Sequence, residues 1–173
     1  LVKVLRLGVG ARITLFNGRG GEYAATLASL DRRHATATVL AHDPVERESP
    51  VSVTLMQAVT RGEKMDWVLQ KATELGVAAI QPVEAERSVV QLLGDRAEKR
   101  RLHWQGILQS ACEQCGRNRL PALHAPLSLE SACLAFSRDW PAALKLTLDP
   151  EAPTTLDAGQ LASAASGGHN IAI

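Results

Sequence analysis

Arg117 and Arg119 offer the clearest chemistry in this chain. They stand in the run ACEQCGRNRLP (111–121), just past the end of a predicted helix, in a loop pinned by Pro121. Guanidinium groups placed there can reach outward to a phosphate or a base edge. The competing reading is that they bond the last exposed carbonyls of the helix. Glu84, Glu86, Arg87 and Ser88 form a second charged group after the carboxyl end of a predicted strand. Open α/β sheets gather ligands at that edge, although a local Glu–Arg ion pair explains the same residues.

Other motifs carry less. Cys112 and Cys115 make a C-x-x-C, but in the last turn of a helix. A redox pair needs the amino end, where the dipole lowers the thiol pKa, and His103, His124 and Cys133 lack zinc spacing. Core cysteines are the better reading. Arg96, Lys99, Arg100 and Arg101 open a helix as a basic patch, which is more often a solvated face than an RNA contact. Gly18-Arg19-Gly20-Gly21 lacks the phosphate-loop pattern and joins two strands, so it reads as a hairpin turn. Hydrolase and nucleotide-hydrolysing signatures are absent from the sequence.

The elements that position these residues fall into two regions. Arg12–Phe16, Glu22–Leu30 and Ala35–Ala41 read as short strands joined by the Asn17-Gly18 turn and the polar turn 31–34. Close strands with tight turns indicate a small barrel or sandwich. The charged stretch DPVERES, bracketed by Pro44 and Pro50, is the best domain boundary, giving regions 1–50 and 51–173.

The second region alternates. Val51–Val59 reads as a strand and Glu63–Leu75 as a helix with Met65, Val68, Leu69, Ala72 and Leu75 on one face and Gly76 as its stop. Val77–Val83 is the next strand. Asp95 caps a long helix whose Trp104, Leu108, Ala111 and Cys115 recur on one face. A short helix at Leu129–Ala135 and strands at Leu144–Leu148 and Asn170–Ile173 complete the pattern. Such alternation predicts a mostly parallel sheet with helices on its faces, an α/β fold.

Composition sets the frame. With 46% hydrophobic and 21% charged residues, the chain can bury a core and is not a disordered segment. The net charge of +1 is uninformative, but its distribution is not. Up to His42, Lys3, Arg6, Arg12, Arg19, Arg32 and Arg33 outnumber Glu22 and Asp31; after Pro121, acids outnumber Arg138 and Lys145. A basic front suits a polyanionic partner. No apolar run approaches the roughly 20 residues that span a bilayer, and three cysteines without a framework suit a reducing compartment, so a cytoplasmic location is expected. The abrupt ends, LVKVLRLGVG and HNIAI, read as those of an internal fragment.

On VLRLGVG (4–10), RESPV (47–51), RGEKMDWVLQKATELGV (61–77), PVEAERSVVQL (82–92) and ACEQCGRNRLP (111–121), the chain resembles the RsmE family. These are bacterial 16S rRNA uracil-N3 methyltransferases of the knotted SPOUT class. The resemblance implies a PUA-like β-barrel that helps hold RNA and an α/β knot domain that binds S-adenosylmethionine and forms a homodimer. In that family the strand matching NIAI leads into a glycine-rich loop, and a later segment completes the cofactor pocket. Neither occurs in the sequence, so the fragment alone is expected to be inactive. Of the knot loops, only LTLDPEA (146–152) is recognisable, making Leu148, Asp149 and Pro150 the expected cofactor-proximal residues. Arg117 is expected to stabilise charge on the base and Arg87 to orient the nucleotide. Arg6, Arg12, Arg32, Arg33 and Arg119 are the expected RNA contacts. A non-catalytic RNA-binding or ribosome-assembly module is the alternative.

Overall fold

The computed structural model describes residues 7–31, 33–84, 94–149, 151–152, 157–159, 162 and 170–173. Side chains are described from Ala97 onward in the helix that begins at Gly94. The chain divides into two compact units. One comprises Leu1–Glu48 with Gly116–Arg119; the other comprises Ser49–Cys115 with Leu120–Ile173.

The first unit is built on the antiparallel sheet β1 (Arg12–Leu15), β2 (Glu22–Leu30) and β3 (Ala35–Asp43), in that order. Within the sheet's strands, Ala25 and Leu27 of β2 are buried, each 2% exposed. The β1–β2 turn is strapped from within. Asn17 Oδ1 accepts from the Arg19 amide at 2.9 Å, and Asn17 Nδ2 donates to the Tyr23 hydroxyl at 3.2 Å. At the other end of β2, Asp31 Oδ1 accepts from the amides of Arg33 and His34, closing the turn into β3.

The second unit contains a parallel sheet in the order β6-β5-β4-β9-β8. Its strands are β4 (Ser52–Ala58), β5 (Ala79–Glu84), β6 (Ala122–Leu123), β8 (Leu144–Lys145) and β9 (Asn170–Ala172). A further short strand, β7 (Leu127–Ser128), pairs with β5 near its carboxyl end. All the described pairings in this sheet are parallel, as alternation of strand and helix requires.

Helices α1 (Glu63–Glu74) and α2 (Gly94–Cys115) cover one face. Met65 and Leu69 of α1, Trp104 and Leu108 of α2, and Ile80 of β5 form the core there, with Val53 and Leu55 of β4 against them. His103 Nε2 and Asp66 Oδ2, 2.8 Å apart, link the two helices at the rim of this core. Helix α1 ends in a Schellman turn. Val77 donates to the Ala72 carbonyl at 3.0 Å and Gly76 to that of Thr73 at 3.1 Å, with Gly76 at φ 94°.

The structure amends several sequence expectations. Leu75 is 88% exposed instead of buried, because it occupies the cap position beyond the last helical turn. In α2, Cys112 takes the inner position and Cys115 is exposed, since the final turn runs past the core. That helix begins at Gly94, so Asp95 lies within it and does not precede it. Helix α3 extends over Leu129–Asp139, capped by Ser128 Oγ, which accepts from the Ser131 amide at 3.2 Å. The strand expected at Leu144–Leu148 is confined to Leu144 and Lys145, and the Leu146 amide makes a last bond to the Ala172 carbonyl at 2.8 Å.

Candidate cofactor cleft and arginine ladder

The carboxyl ends of β4, β8 and β9 open onto a cleft of about 410 Å³. Its floor comes from Leu55, Met56 and Gln57 of β4 together with Ala172 and Ile173. One wall is the segment Lys145–Leu148; the other is α3, through Leu129, Cys133, Phe136 and Ser137. Those four recur at i, i+4, i+7 and i+8, so they occupy one helical face. The lining is mainly apolar, with two sulfurs and an aromatic ring among a few hydroxyl, amide and ammonium groups. That is the make-up of a site for an organic cofactor with an apolar body and a polar end.

Leu148 lines this cleft and is otherwise 78% exposed. Asp149 follows it, and its carboxylate is used locally: Oδ1 accepts from the Glu151 amide at 2.9 Å, while its carbonyl accepts from Ala152. Pro150 lies outside the described residues, as do Arg87, Arg6 and Arg32. A larger cleft of about 480 Å³ lies towards the amino half of the sheet, bordered by Ser52, Thr54, Gln81, His124 and Trp140. Ligands of parallel sheets collect at the carboxyl edge, so the smaller cleft is the better candidate.

Arg117 and Arg119 belong to the first unit. Arg117 is only 8% exposed and donates through Nε to Glu48 Oε1 at 3.0 Å, with a second bond from Nη2 to Glu48 Oε2. This is the bidentate geometry that the guanidinium fork favours. Asn118, 1% exposed, donates from Nδ2 to the Val45 carbonyl at 2.9 Å. Arg119 Nη2 donates to Glu46 Oε2 at 3.0 Å, and Arg47 Nε to Glu22 Oε1 at 2.6 Å. Residues 45–48 and 117–119 thus interlock as a ladder of alternating charge.

The ladder sets the ionisation of its members. The Arg47 hydrogen bond holds the Glu22 carboxyl below its ordinary range, with Asn118 adding to the effect. The Arg119 hydrogen bond does the same for Glu46. Glu22 in turn raises the Arg47 guanidinium.

Carboxylates from 45–48 are therefore partners of Arg117 and Arg119. At the end of α2, Glu113 accepts from Gln109 at 3.1 Å. The sequence held one signal for this, the complementary pair E-R-E (46–48) and R-N-R (117–119), which the linker reading of 43–49 concealed. The cleft residues Met56, Cys133, Phe136 and Lys145 carried no sequence signal, because each is an ordinary element residue until the sheet is assembled.

The expected RNA contacts Arg12 and Arg33 are both exposed, Arg12 on β1 and Arg33 in the β2–β3 turn. On the basic helix start, Arg101 pairs with Glu98 at 2.7 Å and Arg100 lies 5.8 Å from the Trp104 ring centroid. The second unit engages those two locally. Among the described residues, no helix is long and apolar enough to cross a membrane, and no group of three or more His, Cys, Asp or Glu could hold a metal.

Comparison with known proteins matches residues 47–173 to an RNA methyltransferase domain and residues 1–40 to an RNA methyltransferase PUA domain. Ribosomal RNA small subunit methyltransferase E of Bacillus subtilis is 35% identical over 121 residues, covering 70% of this chain and 47% of that protein. The protein of the same name from Buchnera aphidicola is 28% identical over 155 residues, covering 90% and 62%. The chain spans about half the length of the curated relatives it matches.

Two solved structures are also similar. One is Ribosomal RNA small subunit methyltransferase E from Neisseria gonorrhoeae bound to S-adenosyl methionine. It has a TM-score of 0.76 at 34% identity over 99% of this chain and 78% of that one. The other, a Legionella pneumophila structure described as a methyltransferase with bound SAM, has a TM-score of 0.80 at 30% identity over the same shares.

Proposed function

Because the chain belongs to the RNA methyltransferase family, in the RsmE branch that its sequence resembles, we propose that the whole protein methylates N3 of a uridine in small-subunit rRNA. The methyl donor in this reading is S-adenosylmethionine. The observation that carries it is the cleft at the carboxyl edge of the parallel sheet, between α3 and Lys145–Leu148. Its residues fit the cofactor: Met56, Phe136, Leu146 and Leu148 supply apolar surface, and Gln57, Ser137 and Lys145 supply polar groups. When bound, the cofactor supplies an electrophilic methyl on a sulfonium. Leu148, Asp149 and Pro150 are the residues assigned to it by sequence, with Asp149 holding the turn that presents Leu148.

Transfer to N3 requires loss of the N–H proton and stabilisation of the charge that spreads onto the base carbonyls. We assign that stabilisation to Arg117 and the orientation of the nucleotide to Arg87. Glu48 fixes the Arg117 guanidinium plane and offsets part of its charge, so the contribution of Arg117 is directional. A structured RNA must present the base unpaired, since N3 lies on the Watson–Crick edge. Phosphate contacts fall to the first unit through Arg6, Arg12, Arg32, Arg33 and Arg119. The family resemblance also supports a homodimer formed through the second unit and a cytoplasmic setting.

Calorimetry with S-adenosylmethionine on the full-length protein tests this reading. Saturable one-site binding is expected. An absence of binding supports the non-catalytic RNA-binding module instead.

A further inference from the structure

Arg19 and Arg119 come from distant parts of the sequence, yet within the first unit the Arg119 backbone bridges both Arg19, antiparallel, and Gly18, parallel. Residues directly opposite in an antiparallel bridge carry their Cβ atoms about 4.5–5.5 Å apart on one face, and like charges so placed repel. Both side chains are exposed, Arg119 by half. Fold stability alone gives no reason to put two arginines opposite each other. An anion between them does.

The mount is rigid. The Arg19 amide is held by Asn17 Oδ1 at 2.9 Å, and the next amide, Gly20, donates to the Asn118 carbonyl at 3.1 Å. The Arg119 guanidinium lies against the turn. A Cβ on Gly20 would come within 2.8 Å of Nη2, 3.1 Å of Cζ and 3.4 Å of Nε, and Gly20 is at φ 94°. The positive φ favours glycine here, and a Cβ would displace only the end of the Arg119 side chain.

Glu46 bonds Arg119 at 3.0 Å and is half-exposed, while among the described residues no carboxylate pairs with Arg19. Glu46 ionises below its ordinary range, first because of the Arg119 hydrogen bond, so at neutral pH it remains a charged competitor for that guanidinium.

We infer that Arg19 and Arg119 form a two-cation fork for one phosphodiester of RNA, and that Glu46 occupies Arg119 until the phosphate displaces it. Arg19, left as an ordinary turn residue by the sequence, thereby becomes a phosphate contact, and Glu46 a brake on affinity. The inference rests on the rRNA reading above, which supplies the polyanion.

Filter binding of the full-length protein to an in vitro transcript of small-subunit rRNA, over a salt series, tests it. Arg19→Ala should weaken binding about three- to tenfold and flatten the slope of log K against log salt by about one. Glu46→Gln should tighten binding and steepen that slope, which a merely structural Arg119–Glu46 pair would not do. Thermal melts establish that each variant is folded. The exposed Arg19→Ala keeps the test open should Glu46→Gln disturb folding. Wild-type protein that binds no RNA overturns both this inference and the proposed function. Wild-type binding with unchanged affinity in Arg19→Ala overturns the fork alone, and unchanged or weaker binding by folded Glu46→Gln overturns the brake.

Discussion

Arg117 and Glu48, separated by 69 positions in sequence, meet as a bidentate ion pair within the first unit. The pair is largely withdrawn from water, at 8% and 17% side-chain exposure. A loop that follows the long helix of the second unit is thereby made part of the first.

Breaking that pair should be expensive. Glu48→Gln leaves a buried guanidinium with a neutral partner, and a loss of about 2–4 kcal/mol is expected from urea denaturation. A loss below about 0.5 kcal/mol would mean that the pair is solvated and adds little. Arg117→Ala should lose comparable stability and, compared at equal folded fraction, also turnover, with cofactor affinity nearly intact. Arg117→Ala turnover equal to wild type would limit Arg117 to holding the loop.

Acid should loosen the same ladder. Glu22 and Glu46 have carboxyl groups held below their ordinary range by Arg47 and Arg119. Their folded-state pKa is below the unfolded one, so their stabilisation is present above the ordinary carboxylate range. It is lost as pH falls through the depressed folded value. Melting temperature followed from neutral to acid pH should drop in that window, and less steeply in Glu22→Gln/Glu46→Gln. Parallel profiles for wild type and the double variant would show that other groups govern acid sensitivity.

Much of the fold was legible beforehand because each element advertises its period. The apolar spacing of Met65 and Leu69, and of Trp104 and Leu108, placed both helices, and Gly76 marked the end of one. Leu75 was misjudged because spacing cannot reveal where the last turn leaves the core. The site was less legible. Leu148, named through resemblance, lines the cleft, but its neighbours Cys133 and Phe136 become cleft walls only when α3 lies along the sheet edge. The partners of Arg117 and Arg119 were hidden by their distance in sequence, although the charges of 46–48 and 117–119 match.

Trp104 and Gly76 test the scaffold from opposite directions. Trp104, 2% exposed at the α1–α2 contact, should cost about 3–5 kcal/mol when changed to Ala, through lost burial and the cavity left behind. Gly76 has open space around its missing Cβ, so Gly76→Ala should cost only about 1 kcal/mol, from positive φ alone. Chemical denaturation reads both, and equal costs would contradict the packing described.

Cys133 offers a direct probe of the cleft. It is exposed on α3 and lines the cavity, so Cys133→Phe should fill the space without disturbing the core. S-adenosylmethionine affinity should fall at least about tenfold, with little change in melting temperature. Full affinity in a folded Cys133→Phe protein would move the cofactor elsewhere.

The most direct measurement is transfer itself. Full-length protein would be incubated with methyl-labelled S-adenosylmethionine and small-subunit rRNA, and the digested nucleosides resolved by mass spectrometry. N3-methyluridine is the expected product, at a single site and lost when the cleft is filled. Label on another atom or base, or none at all from folded protein that binds both partners, would contradict the account.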